Sequence, residues 1–332
     1  MTSEFIAPSY YKDFKCKGGD CRTCCCSGWA ITVSRKEYFD LLSLPCSPAL
    51  RYKIDGALHL LKDADVERYA QILPNFIGVC PMQREDGLCG LQCECGEENL
   101  PSVCRLYPRS VRLSPYAECC GSCSCEKVLE DLVKTDEKLT FEKIKTDVAV
   151  EGPVVSPPEN YDKYRRECME ILEDRRDPLR RRLDRIFLLL NENDRFSGSV
   201  EVVAADVLEL CRRSPSIGEE CVKASKERKK IPDCVRIVAE KFPSVEIWVE
   251  KILSNHFFYE KFPFPERGES FPDVGRGLMG LCLLWLVLLA DENVRSETDF
   301  IDITGKIFRV AEHTSFYKNV ALLIRREEQD KI

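Results

Sequence analysis

The chain has 332 residues, enough for one large domain or two ordinary ones, and its 44% hydrophobic and 32% charged residues exclude global disorder and permit a sizeable core. A formal net charge of −7 and a pI near 5.4 argue against nucleic acid as the main partner, because such partners select a basic face.

The opening stretch, "MTSEFIAPSYYKDFKC", has no basic n-region and no long apolar h-region, so it does not read as a secretory signal and the expectation is a cytoplasmic protein. Five cysteines then crowd into eleven residues: Cys16, Cys21, Cys24, Cys25 and Cys26, followed by Gly28 and Trp29. Three answers compete: a disulfide framework, a zinc or iron–sulfur site, or a redox-reactive thiol cluster. Fifteen of the 20 cysteines lie before residue 126. A reducing cytoplasm keeps structural disulfides rare, and three consecutive cysteines suit bridge geometry poorly, so the disulfide answer falls first. Thiolates gathered on a metal avoid that difficulty.

Ser34-Arg-Lys-Glu37 is a capping box and predicts a helix running to about Leu44. Further cysteines follow at 80, 89, 93, 95, 104, 119, 120, 123 and 125, with short spacings that let several thiolates meet at one centre. Cys16-x4-Cys21-x2-Cys24 has the spacing of the plant-type [2Fe–2S] loop. His59 is the one histidine in this half, which argues against a mixed site of two cysteines and two histidines. Zinc held by four thiolates and an iron–sulfur cluster both remain; spacing does not choose between them.

Residues 148–160 carry three prolines and a glycine and read as a connector. Beyond it, helical periodicity predicts helices over Tyr161–Glu173, Leu179–Glu192, Val200–Arg212 and Val245–Phe257, with Pro178 opening the second. The apolar run Leu278–Ala290 is too short for a bilayer, which takes roughly 20 residues, and reads as a buried core helix rather than a membrane span. Few strand-like alternations are visible. The expected architecture is mainly α: a loop-rich, cysteine-cluster metal-binding region over 1–147, packed on a helical region over 161–332.

The block "FKCKGGDCRTCCCSGWAITV" resembles the entrance of the flagellin lysine-N-methylase family at Cys16, Cys21, Cys25, Cys26, Gly28 and Trp29. "CPMQREDGLCGLQCECGEENLPSVCRLYPRSV" resembles its next segment at Cys80, Cys89, Cys104, Tyr107, Pro108 and Arg109, and "CSCEKVLEDL" a third at Cys125. The likeness continues through "EILEDRRDPLRRRL", "NHFFYEKFPFP" and "IFRVAEHTSFYKNV". The first block also resembles a broader group of zinc- or iron-chelating cysteine-cluster proteins. The family resemblance implies S-adenosylmethionine-dependent N-methylation of lysines on flagellin by a protein carrying a [4Fe–4S] cluster. It points to Cys16, Cys21, Cys25, Cys26, Cys80, Cys89, Cys104 and Cys125 as metal ligands. Cys24 stands where the family commonly has threonine. Cys93, Cys95, Cys119, Cys120 and Cys123 are additional, and leave room for a second centre.

Methyl transfer needs a neutral amine, whereas free lysine, with a pKa of about 10.4, is protonated at neutral pH. It also needs nitrogen, methyl carbon and sulfur in line. No G-x-G-x-x-G follows a strand, so the common Rossmann cofactor site is not visible. The C-x3-C-x2-C loop of radical S-adenosylmethionine enzymes is absent too. The expectation is polar transfer, with the cluster structural or anchoring the cofactor. The alternative is a non-catalytic zinc- or iron-binding protein for metal delivery or redox sensing.

Tyr107 and Arg109 are candidates to line a lysine channel and to pair with a cofactor carboxylate; their simpler role is packing the cluster loop. Trp29 is a candidate to stack on adenine, or simply shields the metal site. His256 reads as a satisfied core histidine, His313 as a helix C-terminal cap, and the arginines of 175–182 as a solvated face. Cys46, Cys168, Cys211, Cys221, Cys234 and Cys282 are isolated, and Cys282 reads as a small core residue.

Overall fold

The computed structural model describes residues 3–146, 155–192, 194–264 and 269–329. In chain order the elements begin with β1 (Ser3–Pro8), β2 (Ile31–Val33), α1 (Arg35–Ser43), α2 (Pro48–Ala57), β3 (Leu58–Leu60), β4 (Ala70–Ile72), α3 (Gly90–Cys95) and α4 (Ser102–Leu106). Then come β5 (Arg109–Arg112), β6 (Glu118–Gly121), α5 (Glu126–Val133) and β7 (Phe141–Thr146). Among the described residues nine helices follow: α6 (Tyr161–Leu172), α7 (Leu179–Leu190), α8 (Val200–Cys211), α9 (Gly218–Glu227), α10 (Ile231–Lys241), α11 (Val245–Tyr259), α12 (Phe271–Leu289), α13 (Glu297–His313) and α14 (Phe316–Gln329). The mainly α expectation is met.

The chain divides into two compact units, residues 15–108 and residues 1–14 with 109–332. This differs from the division at 147 and 161. Residues 109–146 contribute β5, β6, α5 and β7 to the larger unit, because the N-terminal strand β1 pairs parallel to β6 and antiparallel to β7. The buried apolar face of α5 (Val128, Leu129, Leu132, Val133) belongs to the helical core. The cysteines at 119–125 therefore fold with the helices. Most of the expected connector, 148–154, lies outside the described residues.

In the smaller unit an antiparallel sheet ordered β2-β4-β3 carries Val33, Ala70 and Ile72 into a core completed by Leu41, Leu50, Ile54, Met82 and Leu91. The Ser34 capping box is formed: Glu37 N–H donates to Ser34 Oγ at 3.3 Å and the Ser34 N–H to Glu37 Oε2 at 2.8 Å. Glu37 Oε1 also accepts from the backbone N–H of Ser102 at 2.7 Å, tying the start of α4 to α1.

In the larger unit the sheet order is β5-β6-β1-β7. The strands were under-read because they are short: Phe5 and Ala7 of β1 are buried, but β6 is buried at every position and shows no alternation. α6, α7, α8 and α11 fall within a residue or two of expectation, whereas α12 begins seven residues before the apolar run. Among the described residues α12 alone is long and apolar enough to cross a membrane, and 72% of its most apolar stretch is buried inside the protein, as in a core helix. Arg175 and Arg182 correct the solvated-face expectation: Arg182 is 2% exposed and its Nη1 donates to Glu250 Oε2 at 2.7 Å, with Arg175 on the same carboxylate. The pattern of charges hid a buried ion pair because the acceptor lies 68 residues further on.

Candidate functional site

Cys24–Ser27 is a tight turn closed by the Ser27 N–H donating to the Cys24 carbonyl at 3.3 Å. The turn folds three consecutive side chains together, so the sulfurs of Cys24, Cys25 and Cys26 all lie within 4.8 Å of one another. Among the described residues this is the one group of three or more metal-type donors so gathered. Gly28 follows at φ +87°, a backbone conformation that glycine adopts without cost, and its N–H donates to the Gly78 carbonyl at 2.9 Å. Ser27 and Val79 form an antiparallel bridge, and the Cys80 N–H donates to the Cys26 carbonyl at 2.6 Å. The first cysteine block is thus laced to the second.

The second block turns back on itself. The Arg84 N–H bonds the Leu88 carbonyl, Gly87 takes φ +78°, and Gln83 bridges Cys89. Cys89 comes near enough to Cys80 for its charge to act there, and both act on Cys104 of α4. Cys24 acts in the same way on Cys80, and Cys16 on Cys25. Seven thiols, at 16, 24, 25, 26, 80, 89 and 104, form one continuous electrostatic neighbourhood.

Burial and the neighbouring thiols oppose loss of their protons. Hydrogen bonding from Cys24, with burial, pushes the Cys25 thiol up; Cys24 and Cys25 together push Cys26 up further. Burial raises Cys80, and burial with the neighbouring Cys80 and Cys89 pushes Cys104 up to about 12. Thiolates so close repel one another, and a bound cation removes that cost while the thiols release their protons. The all-sulfur donor set fits zinc or an iron–sulfur cluster. Donors to sulfur are in place: the Gln83 amide reaches Cys24 Sγ at 3.1 Å, the Cys26 N–H reaches it at 3.3 Å, and the Gly18 N–H reaches Cys16 Sγ at 3.3 Å.

Trp29 donates its indole N–H to the Cys25 carbonyl at 3.1 Å and meets Tyr107 edge-on, with ring centroids 5.6 Å apart. Both aromatic candidates thus wall the thiol loop. Arg109 belongs to the larger unit, where its guanidinium lies 5.0 Å from the Phe14 ring centroid. Cys125 is in that unit too, as the N-cap of α5. Cys21 is half-buried in the loop before the turn. Cys24, where the family commonly has threonine, is gathered with Cys25 and Cys26 in this turn; the unbroken run of three cysteines is the signal in the sequence.

Cys120 and Cys123 are fully buried and share Asn255: Cys120 Sγ lies 3.2 Å from its Oδ1, and its Nδ2 donates to Cys123 Sγ at 3.1 Å. Burial pushes both thiols up. His256 is the satisfied core histidine expected, held by Glu312 and Tyr317. His313 is the last residue of α13, and its ring lies 2.9 Å from Ser124 Oγ.

The larger unit also has a cavity of about 740 Å³ between the sheet and α6, lined by Tyr116, Phe141, Phe258, Asp162, Arg165 and Arg166 among others. A second, of about 360 Å³, is lined by Arg112, Tyr259, Glu260, Phe262, Glu312 and Tyr317 among others.

No protein-family model and no solved structure matches the chain. It is 32% identical over 103 residues to a lysine-N-methylase of Salmonella choleraesuis (strain SC-B67), and 31% identical over 103 residues to that of Salmonella typhimurium. It is 30% identical over 104 residues to the flagellar biosynthetic protein FliU of Salmonella muenchen. Each match takes in 31% of this chain; the chain spans 25% of the length of the two methylases and 60% of that of FliU. Over about a third of its length, then, the chain is similar to lysine-N-methylases, the family its cysteine blocks resemble.

Proposed function

We propose that the protein is an S-adenosylmethionine-dependent lysine N-methyltransferase acting on flagellin, with a [4Fe–4S] cluster held by thiols of the smaller unit. The observation that carries this reading is the lacing of the Cys24–Cys26 turn to Cys80, Cys89 and Cys104, in a chain similar to lysine-N-methylases. Cys16, Cys25, Cys26, Cys80, Cys89 and Cys104, with Cys24 and Cys21, are the candidate ligands, of which one [4Fe–4S] cluster takes four; Cys125 lies in the larger unit. A cytoplasmic setting, where thiols stay reduced, suits such a centre.

S-adenosylmethionine supplies an electrophilic methyl group when bound. The 740 Å³ cavity has the size and lining for it: Tyr116 and Phe258 offer aromatic faces, Arg166 a partner for a carboxylate, and Asp162 an acceptor for hydroxyls. Arg165, sandwiched among Tyr116, Tyr161 and Phe258 and bonded to Glu118 at 2.6 Å, stiffens that wall.

One observation favours the second reading, a non-catalytic zinc- or iron-binding protein. Three sulfurs within 4.8 Å suit a single tetrahedral ion, around which sulfurs bound at about 2.3 Å stand close together. A methylation assay separates the two. Anaerobically purified protein, mixed with flagellin and S-adenosylmethionine, is expected to yield methyl-lysine by mass spectrometry, and Cys25→Ser to lower that yield at least about tenfold, in the range seen when a metal site is disturbed. A folded, metal-loaded sample that forms no methyl-lysine contradicts the enzyme reading.

A further inference from the structure

The larger unit holds a series of buried polar groups that the thiol cluster does not explain. Glu312, in the last turn of α13, has a side chain with no exposed surface. Its Oε1 lies 2.9 Å from His256 Nδ1, and its Oε2 accepts from Ser122 Oγ at 2.5 Å. With Nδ1–H given to the carboxyl, Nε2 of His256 is left as the acceptor, and Tyr317 Oη stands 2.8 Å from it. The three members come from α13, α11 and α14. A well-packed apolar set would serve stability at least as well as a buried carboxyl, imidazole and phenol in series.

The series ends at a cavity. Tyr317 lines the 360 Å³ space with Tyr259, Phe262 and Glu260, and a volume of that size lies at the low end for small-ligand sites. Aromatic faces and a carboxylate suit a cation. The Glu260 charge acts on both Tyr259 and Tyr317, whose phenols burial already holds well above their usual range. Among the described residues the lining also carries three cations, and Lys261 sits on a ring of the same cavity. Arg112 bonds Glu118 at 2.7 Å and the Tyr259 carbonyl at 2.6 Å, Lys261 lies 5.3 Å from the Phe264 ring centroid, and Lys318 is exposed.

We infer that this cavity receives a lysine side chain, and that Tyr317 takes the proton which the lysine ammonium must lose before it can be methylated. One ammonium N–H bond breaks. Its proton passes to Tyr317 Oη as the phenolic proton moves to His256 Nε2, and the amine keeps the electron pair with which it attacks. No electrons are exchanged. Tyr317 is the catalytic residue; His256 and Glu312 position it and hold the displaced proton. The proton step rests on the methylase reading, whereas the binding of lysine does not.

The test is a calorimetric titration of the full chain with acetyl-Gly-Lys-Gly-amide and with its norleucine counterpart, followed by methyl-transfer rates. The lysine peptide is expected to bind roughly tenfold tighter, as cation–aromatic and charge contacts allow, and Glu260→Gln to erase most of that difference. Tyr317→Phe is expected to leave peptide binding within about twofold and to slow transfer at least about 100-fold, with the rate recovering as pH rises toward the lysine pKa. His256→Gln, which still bonds Tyr317 but takes no proton at neutral pH, is expected to behave alike. Equal binding of the two peptides overturns the cavity assignment; an unchanged rate and pH profile in both variants overturns the proton step. Selective lysine binding without any methyl transfer supports the cavity and contradicts the methylase reading instead.

Discussion

Asp273 shows how one side chain ties a helix start to a partner helix. It closes the capping box of α12 with Ser270 and accepts from Arg325 Nε at 2.6 Å, with only 3% of its side chain exposed. Burial alone would raise its carboxyl, but the Arg325 and Ser270 bonds outweigh burial and hold it below the usual range. A carboxyl depressed in the folded state stabilises fully above its unfolded pKa, near 3.9, and loses that contribution as pH falls through the lower folded value. Urea unfolding at a series of pH values should therefore show wild type more stable than Asp273→Asn by a constant margin above about pH 5, shrinking below about pH 4. A margin independent of pH would contradict the assignment. Ser270 and Asp273 are adjacent enough in sequence to be read as a cap. Arg182, by contrast, looked solvated among its neighbours, because nothing local points to Glu250. The gathering of Cys24, Cys25 and Cys26 was hidden for a related reason: adjacent cysteines diverge in extended chain, and the turn closed by Ser27 brings their sulfurs together.

The helices α12 and α14 pack closely along their length, and glycine permits it. A Cβ at Gly280 would stand 2.2 Å from Val320 Cγ1, and one at Gly277 would stand 2.3 Å from the Tyr317 ring. Alanine at 280 would gain about 1 kcal/mol in helix propensity, yet overpacking typically costs about 1–3 kcal/mol. Gly280→Ala is expected to destabilise by about 1 kcal/mol or more in chemical denaturation, with Val320→Ala in the same chain restoring part of the loss. Equal or greater stability of the single variant would show that the two helices yield easily. The helices themselves were legible because their apolar spacing repeats over three turns or more. The strands were not, since three- and four-residue segments carry too little pattern, and β1 pairs with partners more than a hundred residues away.

At the scale of the whole molecule, the thiols sort by unit. Those of residues 16–104 are exposed or half-buried, in loops and on the short helices α3 and α4. Those at 119, 120 and 123 are buried in the larger unit, with Cys120 and Cys123 bonded to Asn255. Counting cysteines before residue 126 did not reveal that boundary, because it is set by the pairing of the N-terminal strand with β6 and β7. The two-block lacing was legible from the cysteine spacing; the polar series from Glu312 to Tyr317 was not, since its members are scattered over three helices and only His256 stood out. The central claim is that the smaller unit's thiols hold an iron–sulfur cluster, and metal and acid-labile sulfide analysis of anaerobically purified protein tests it most directly. The account predicts a brown protein with iron and sulfide in near-equal amounts, lost in Cys25→Ser and Cys80→Ser and kept in Cys282→Ala. A colourless protein with neither iron nor sulfide, or one whose iron survives both serine substitutions, would contradict it.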